Sequence, residues 1–329
     1  MAVNTGLTDA FGRRFYYLRL SVTDVCNFRC SYCLPNGYAK SGCDDFLSLH
    51  EITRLATAFS ALGMKKIRLT GGEPTLRPDF TAIARSVSRI QGIQKVAVTT
   101  NGYRLRERAA EYASAGIQSI NISIDSLRPE TFSHITGHDR LDEIMEGVSA
   151  CRETGFQNIK INTVLLKGVN DSELDAFIDF VVSQNVSLRF IELMRTLDNK
   201  DYFTQYHVSS DSISHALRAR GWQPTIRAHD DGPAVEYMHP GGSGRIGIIA
   251  PYGKDFCQSC NRLRVSARGN LHLCLFGEEG FSLRRWLQHD EQLAELQSRI
   301  VMLLQHKRAG HGLHHQDSGA TPHLASIGG

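Results

Sequence analysis

Three cysteines lie within eight residues near the start of the chain, in the segment SVTDVCNFRCSYCLPNG (residues 21–37). They are Cys26, Cys30 and Cys33, spaced C-x3-C-x2-C. Thiolates bind zinc and iron–sulfur clusters, and both usually take four protein ligands. No fourth Cys or His follows at a suitable spacing, because Cys43 comes ten residues later and His50 further on. Three thiolates on a four-iron cluster would leave one iron open, and an open metal position indicates chemistry rather than scaffolding.

A second set of three cysteines lies late in the chain, in DFCQSCNRLRVSARGNLHLCLFG. Cys257, Cys260 and Cys274 are spaced C-x2-C-x13-C, again one ligand short of a closed site. If the segment is extended, His272 shares a face with Cys274, so a zinc site stays open as an alternative. The thiolate-only set favours a second open iron–sulfur cluster.

A repeated sequence pattern marks the helices and strands that must position these two cysteine loops. LGMKKIRL, QGIQKVAV, AGIQSINI and TGFQNIKI each have a glycine, an apolar residue, two polar residues and a β-branched strand. Each glycine follows a helical-looking segment, where it suits the left-handed conformation that ends a helix. Strands alternating with helices predict βα units and a parallel sheet. The predicted strands are near residues 15–22, 67–70, 95–100, 119–125, 159–166 and 187–193.

The strand series stops after Met194, so the sequence favours a partial barrel of six units over a complete one of eight. From about residue 225 the sequence no longer alternates between helical segments and strands. The segment HPGGSGRIGIIAPYG is typical of a hairpin turn leading into a strand. We therefore predict an α/β fold with a partial (βα)6 TIM-like barrel in residues 1–225. Residues 226–329 form a C-terminal region that closes the barrel opening. Its last part, RAGHGLHHQDSGATPHLASIGG, is expected to be mobile, and its histidines solvated.

The predicted strands alternate instead of being apolar throughout. NISID, IKINTV and LRLSV each place polar side chains on one face and apolar ones on the other. A packed barrel interior would be filled with Val, Ile and Leu. The alternation therefore predicts a lumen that holds a polar ligand.

Several basic residues occupy the alternate strand positions whose side chains point to that polar face. In an extended NRLR, Arg262 and Arg264 project to one side, and arginine suits phosphate binding. Five bases on one cavity would repel one another without an anion, so a triphosphate is predicted. A surface ion pair is the simpler explanation for any single one. The other three bases are Arg19, Arg68 and Lys160, with Lys66 and Arg189 as second-tier candidates.

Composition narrows the class of protein. The chain has 329 residues and a formal net charge of +3, which is too small for bulk binding to nucleic acid or a membrane. No apolar run reaches the ~18 residues of a membrane span, and the first residues lack a secretory signal. A cytoplasmic protein is predicted, where thiols stay reduced. An RNA-binding zinc protein is the competing class, disfavoured by the charge and by the lack of aromatic residues among the bases.

The first cysteine loop, with Tyr32 before its last cysteine, and the turn TGGEP (residues 70–74) resemble the radical S-adenosylmethionine (SAM) superfamily. The resemblance implies a partial βα barrel and a [4Fe-4S] cluster on Cys26, Cys30 and Cys33. SAM would chelate the open iron and be split by one electron to a 5′-deoxyadenosyl radical. The implied SAM contacts are Tyr32, Gly72, Ser123 and Met194.

Both cysteine sets, the Gly-Gly-Glu turn, NRLR and the final Gly328-Gly329 together resemble the GTP 3′,8-cyclase family, from about Tyr16 onwards. The resemblance implies that the radical takes hydrogen from ribose C3′ of GTP. The carbon radical then attacks guanine C8, and reduction gives (8S)-3′,8-cyclo-7,8-dihydroguanosine 5′-triphosphate. This is the first step of molybdenum cofactor biosynthesis. The implied GTP contacts are Arg19, Arg68, Thr99, Lys160, Arg262, Leu263 and Arg264.

The same resemblance assigns the remaining components. A second [4Fe-4S] cluster on Cys257, Cys260 and Cys274 would offer its open iron to guanine, and the tail of Gly328 and Gly329 would reach the active site. The implied partners are an electron donor such as flavodoxin or ferredoxin and a downstream pyranopterin-forming enzyme, and a homodimer is allowed. Another radical SAM enzyme with an auxiliary cluster and a different substrate is the alternative. Such enzymes tend to carry more auxiliary cysteines.

Overall fold

The structure is a computed structural model that describes residues 6–40, 45–225, 232–242, 244–277 and 280–327. Cys43, Gly328 and Gly329 lie outside the described residues. Within the described ranges, the strands form one sheet in the order β12-β11-β10-β1-β2-β3-β4-β5-β6-β9-β8-β7. The strands are β1 (Tyr17–Ser21), β2 (Lys66–Thr70), β3 (Lys95–Thr100), β4 (Ser119–Ser123), β5 (Asn158–Val164), β6 (Ser187–Ile191), β7 (Gln223–Pro224), β8 (Val235–Met238), β9 (Arg245–Ile249), β10 (Arg262–Val265), β11 (Asn270–His272) and β12 (Phe281–Ser282).

Strands β1 to β6 pair in parallel, each with the next, which confirms the six predicted strands and the partial barrel. The structure extends them at both edges, because β10 pairs in parallel with β1 and β9 with β6. The repeat could not reveal these two strands, since neither belongs to a βα unit. In the described strands, β9 and β10 are not paired with each other, so hydrogen bonds do not close the barrel.

Helices cover the outer face of the sheet. Most of them follow a strand, as expected of βα units. The helices are α1 (Leu49–Ala61), α2 (Phe80–Ser88), α3 (Leu105–Ser114), α4 (Pro129–Thr136), α5 (Leu141–Glu153), α6 (Leu174–Gln184), α7 (Lys200–Tyr206), α8 (Ser210–Ala219) and α9 (Leu293–Leu304). In the described chain, no helix combines the length and the apolar character needed to cross a membrane.

Local sequence explains where the helices begin and end. Ser48 accepts from the Glu51 N–H, and the Glu51 carboxylate accepts from the Ser48 N–H, which forms the predicted capping box of α1. The repeat glycines have φ between 85° and 94°, as in Gly63 (90°) and Gly155 (85°). Asn185 takes their place after α6 with φ 49°. These left-handed residues turn the chain from each helix into the next strand.

The alternation along the strands separates two environments. Leu18, Leu20 and Ile161 are fully buried in the apolar core beneath the helices. Their neighbours Arg19 and Asn162 line a cavity inside the barrel. The polar lumen predicted from sequence is therefore present.

The C-terminal region differs in part from its prediction. The hairpin is present, because β8 and β9 pair antiparallel. The expectation of a mobile tail was wrong for its described part. Leu313 and Ile327 are buried and pack with Leu275 and Phe276, and His311 lies against the Phe276 ring. A few apolar anchors suffice to dock a polar segment, and composition averaged over the segment hides them.

The division at residue 225 stays a prediction. The short strand β7 pairs with β8 across that position, so the sheet continues from one predicted region into the other.

Candidate functional site

The first cysteine set lies in the loop after β1, at the carboxyl end of the parallel strands. The N–H groups of Cys33 and Leu34 both donate to the Cys30 carbonyl, at 2.9 and 3.0 Å, which forms a tight turn. Two other N–H groups of the loop donate to carbonyls at the end of α4. The backbone thus fixes the loop, and all three cysteines line the cavity.

The thiols of this set crowd one another. Burial raises the pKa of Cys26 to about 11 and that of Cys33 to about 12. Burial, Asp125 and the other two thiols raise the pKa of Cys30 well above its usual value. Thiolates cannot share this place without positive charge, which metal ions supply. The donor set fits an iron–sulfur cluster at this loop.

Among the described residues, no three His, Cys, Asp or Glu side chains form a group that could hold a single metal ion. A four-iron cluster does not require such a group, because each thiolate binds a different iron.

The Gly-Gly-Glu turn packs directly on the cysteine loop. The Gly72 N–H donates to the Thr23 carbonyl at 3.0 Å, and the Glu73 N–H donates to the Val25 carbonyl at 2.8 Å. A Cβ atom on Gly72 would lie 2.4 Å from the Val25 oxygen, so only glycine allows this approach. Gly72 also lines the cavity, where its backbone can meet a ligand.

The other predicted SAM contacts surround the same space. Tyr32, Ser123 and Met194 all line the cavity. The Tyr32 hydroxyl donates to Asp125 Oδ2 at 2.8 Å, and the Val164 N–H donates to Asp125 Oδ1 at 2.8 Å. Burial raises the pKa of Asp125 to about 6, although these two donors lower it. Asp125 therefore links the cysteine loop to the ends of β4 and β5.

A cationic wall extends from this site into the barrel. Here the cationic wall means Arg19, Lys66, Arg68, Arg189, Arg262 and Arg264, all of which line the cavity. Arg68 donates to the Tyr17 hydroxyl at 2.5 Å, to the Val98 carbonyl at 2.9 Å and to the Thr99 hydroxyl at 3.1 Å. These contacts fix the Arg68 guanidinium before any ligand binds. Thr99 also lines the cavity.

The bases lower one another's pKa values. Burial, Arg68 and Arg262 lower the pKa of Arg19 to about 10, although Tyr17 opposes them. Burial and then Arg19 and Arg262 lower the pKa of Arg264. Burial and the charge of Arg189 lower the pKa of Lys160 to about 7. So much positive charge in a buried space favours a polyanionic ligand.

Leu263 is the exception among the predicted GTP contacts. Its side chain is fully buried in the apolar core, on the opposite face of β10 from Arg262 and Arg264. Only its backbone could meet a ligand.

The second cysteine set flanks β10 and β11. Burial raises the pKa of Cys257, and the charges of Cys274 and Cys260 raise it further. Burial also acts on Cys260, but Arg262 and Lys307 outweigh it and lower the pKa of Cys260 to about 7. The thiol cluster and the cationic wall therefore meet at Arg262.

His272, the alternative zinc ligand, lies beside this set. Burial and the neighbouring Arg264 lower the pKa of His272 to about 4, so its ring is neutral at physiological pH. A Cβ on Gly280 would lie 2.6 Å from His272 Nε2, so the ring packs against that glycine.

The last described residues form part of the cavity wall. Leu324 and Ala325 line the cavity, and Arg264 donates to the Ile327 carbonyl at 3.2 Å. A backbone hydrogen bond from Ala325 lowers the pKa of Cys33, against the stronger effect of burial. The chain thus approaches both the cysteine loop and the cationic wall just before Gly328.

Sequence reasoning missed Tyr17 and Glu192, which also line the cavity, and it placed Asp125 on the polar face of NISID without giving it a role. Tyr17 has the strand parity of Arg19, and that signal could have placed it in the lumen. Asp125 and Glu192 follow the ends of β4 and β6, where barrel enzymes place functional groups.

Comparison with known proteins agrees with this arrangement. The Radical SAM superfamily pattern matches residues 20–181, and the Molybdenum Cofactor Synthesis C pattern matches residues 186–313. In fold, the chain resembles Streptococcus suis SuiB bound to S-adenosylmethionine, with a TM-score of 0.56 and 14% identity over 79% of this chain and 60% of that one. It also resembles HydG, a maturase of the [FeFe]-hydrogenase, with a TM-score of 0.51 and 15% identity over 61% and 48% of the two chains.

The barrel, the cysteine loop and the Gly-Gly-Glu turn together define a radical SAM enzyme, which binds an iron–sulfur cluster and SAM. Relatives named GTP 3′,8-cyclase are much closer in sequence. The one from Aeromonas hydrophila is 54% identical over 98% of this chain and 96% of its own. The one from Stenotrophomonas maltophilia is 55% identical over 98% and 99%. This chain belongs to the GTP 3′,8-cyclase family.

Proposed function

We propose that this enzyme cyclises GTP to 3′,8-cyclo-7,8-dihydro-GTP, the first step of molybdenum cofactor biosynthesis. The observation that carries the proposal is a single cavity with three cysteines at one end and the cationic wall along its side. The kinship to enzymes named GTP 3′,8-cyclase supports the choice of substrate.

The end of the cavity at the first cysteine loop is the proposed SAM site. Cys26, Cys30 and Cys33 would hold the cluster, which with SAM supplies the one-electron chemistry that starts the reaction. Gly72 offers backbone close to the loop, and Ser123 and Met194 lie around the same space. Tyr32, fixed by Asp125, keeps the loop in place.

The cationic wall is the proposed triphosphate site. Arg19, Arg68, Arg262 and Arg264, with Lys160 nearby, would neutralise the phosphates, and Thr99 is held beside them by Arg68. Binding an anion removes the repulsion among these bases, so part of the binding energy comes from relief of that repulsion. The anchored triphosphate would leave the ribose towards the cysteine loop at the end of the cavity, and the guanine towards the second cysteine set beside Arg262.

The second cysteine set is the proposed guanine site. Cys257, Cys260 and Cys274 would hold a second cluster next to Arg262, whose charge already favours thiolate at Cys260. Gly328 and Gly329, which follow the docked Ile327, would extend the chain into the active site. An electron donor such as flavodoxin or ferredoxin, a downstream pyranopterin-forming enzyme and a cytoplasmic location complete the proposal.

The proposal is tested with GTP deuterated at C3′. The reconstituted protein is incubated anaerobically with SAM, dithionite and the labelled nucleotide, with labelled ATP as the control. The expected result is deuterium in the 5′-deoxyadenosine, seen by mass spectrometry, with GTP alone. Deoxyadenosine without deuterium would indicate a different substrate of a radical SAM enzyme and overturn the cyclase proposal.

A pH-dependence follows from Lys160. The pKa of Lys160 in the folded protein is about 7 instead of 10.5. Between pH 7 and pH 10.5, Lys160 is therefore protonated in the unfolded chain and mostly neutral in the folded one. Without ligand, this group therefore lowers stability as pH falls from about 10.5 to about 7. The triphosphate favours charged Lys160, so GTP binding at pH ~8 should take up a proton.

Calorimetry at that pH in two buffers of different ionisation enthalpy measures this uptake. We expect the binding enthalpy to differ between the two buffers, and we expect this difference to be smaller in Lys160→Met. Equal proton uptake in the two proteins would contradict the assignment to Lys160.

A further inference from the structure

Glu192 presents an unpaired carboxylate oxygen at the cavity wall. Its side chain is 3% exposed, and Oε1 lies 2.9 Å from Nε2 of His207. Oε2 is buried and has no hydrogen-bond partner, although Glu192 lines the cavity. A buried carboxylate oxygen without a donor destabilises a protein. Its presence indicates a place where a ligand supplies the donor.

Three other buried carboxylates, those of Glu73, Glu173 and Asp125, have both oxygens satisfied. Glu73 accepts from the Thr100 hydroxyl at 2.8 Å and from the Asn101 N–H at 2.6 Å. Glu173 accepts from the Ser126 hydroxyl at 2.7 Å and from the Leu127 N–H at 2.8 Å. The two oxygens of Asp125 accept from Val164 and Tyr32. The unpaired oxygen therefore distinguishes Glu192 from the carboxylates that only hold the fold together.

The position of Glu192 selects the part of the ligand that it can meet. Glu192 follows the carboxyl end of β6, two residues before Met194, whereas the bases of the cationic wall lie within the strands. A carboxylate repels phosphate and accepts hydrogen bonds from hydroxyl groups. Since His207 occupies Oε1, one oxygen remains for one donor. A nucleoside hydroxyl at the SAM end of the cavity fits this requirement.

We propose that Glu192 Oε2 accepts a hydrogen bond from a ribose hydroxyl of SAM, with His207 holding the carboxylate in orientation. The inference rests on the proposed function in one respect, namely that SAM occupies the space around Ser123 and Met194. It adds a binding residue to that site and predicts selectivity for the intact ribose.

The test compares SAM with its 2′-deoxy and 3′-deoxy analogues. Equilibrium dialysis with the reconstituted protein and no reductant measures binding without turnover. The wild-type protein is expected to bind SAM at least about tenfold more tightly than one of the two analogues. Glu192→Ala should bind SAM more weakly by a similar factor and should no longer distinguish that analogue.

Two further variants keep the test decisive. Glu192→Gln retains the size of the side chain and an acceptor for His207, so it replaces the alanine variant if that one does not fold. It should also discriminate less between SAM and the deoxy analogue. Glu236→Gln is the matched control, because its carboxylate is paired with Arg189 at 3.1 Å. The control should discriminate between the analogues as the wild-type protein does.

Equal binding of all three ligands by the wild-type protein overturns the inference, as does undiminished discrimination in both Glu192 variants. Either result leaves the SAM site itself intact. No binding of SAM by a fully loaded wild-type protein overturns the proposed function as well, so the two failures can be told apart.

Discussion

Replacing Cys30 with alanine is expected to abolish reductive cleavage of SAM while leaving about half of the iron bound. Cys30 is a proposed ligand of the first cluster only, and the second cysteine set lies on other elements, around β10 and β11. The loss should exceed the roughly 10- to 100-fold effect of changes outside the ligand shell. Iron and sulfide analysis gives the loading, and chromatography of 5′-deoxyadenosine gives the cleavage rate.

The matched control is Cys151→Ala. Cys151 is a fully buried cysteine of α5, where it packs as a small apolar side chain. This variant should keep the full iron content and the wild-type rate of cleavage. Cys274→Ala should also lose about half of the iron, yet keep cleavage of SAM. Loss of cleavage from Cys274→Ala, with the first cluster still loaded, would contradict the assignment of separate roles.

Replacing Arg264 with methionine should weaken GTP binding without lowering the stability of the ligand-free protein. The charged contacts that it removes are each worth about 2 kcal/mol, or roughly 30-fold in Kd. In the free protein, Arg264 is buried. Burial, and then the charges of Arg19 and Arg262, lower the pKa of its guanidinium. Methionine removes this repulsion but also the hydrogen bond to the Ile327 carbonyl, so we expect the two effects on stability to offset each other.

Nucleotide titration and thermal unfolding test the two halves of this expectation together. Arg268→Met is the control, because that arginine side chain is 45% exposed and lies 3.9 Å from Asp24, outside the cationic wall. It should leave GTP affinity unchanged. A substantially lower melting temperature for Arg264→Met, with GTP affinity intact, would assign Arg264 a structural role instead.

The barrel could be predicted because each βα unit carries its own signals. The helix-ending glycines, such as Gly63 and Gly116, mark where each helix stops, and the alternation in NISID identifies the cavity face. Both signals come from near neighbours in the sequence. A strand was expected after HPGGSG, but the places of β9 and β10 in the sheet could not be predicted, because these strands pair with β6 and β1, far away along the chain.

For the site too, only features that depend on near neighbours in the sequence could be predicted. The cysteines were found because their spacing is local, and the cationic wall because strand parity orders it. Glu192 gave no such signal, since its pairing with His207 depends on a turn of the chain after β6. The docking of the tail was also hidden, because it depends on Leu313 and Ile327 meeting Phe276 across the fold.

The incomplete barrel has a mechanical consequence. In the described strands, β9 and β10 stand at opposite sides of the gap and share no ladder of hydrogen bonds, whereas every other neighbouring pair from β10 round to β9 does. A closed barrel can widen only by breaking such ladders. Here the two sides can separate along the seam while every ladder stays intact. A molecule that enters the cavity between these two strands therefore has no ladder of hydrogen bonds to break.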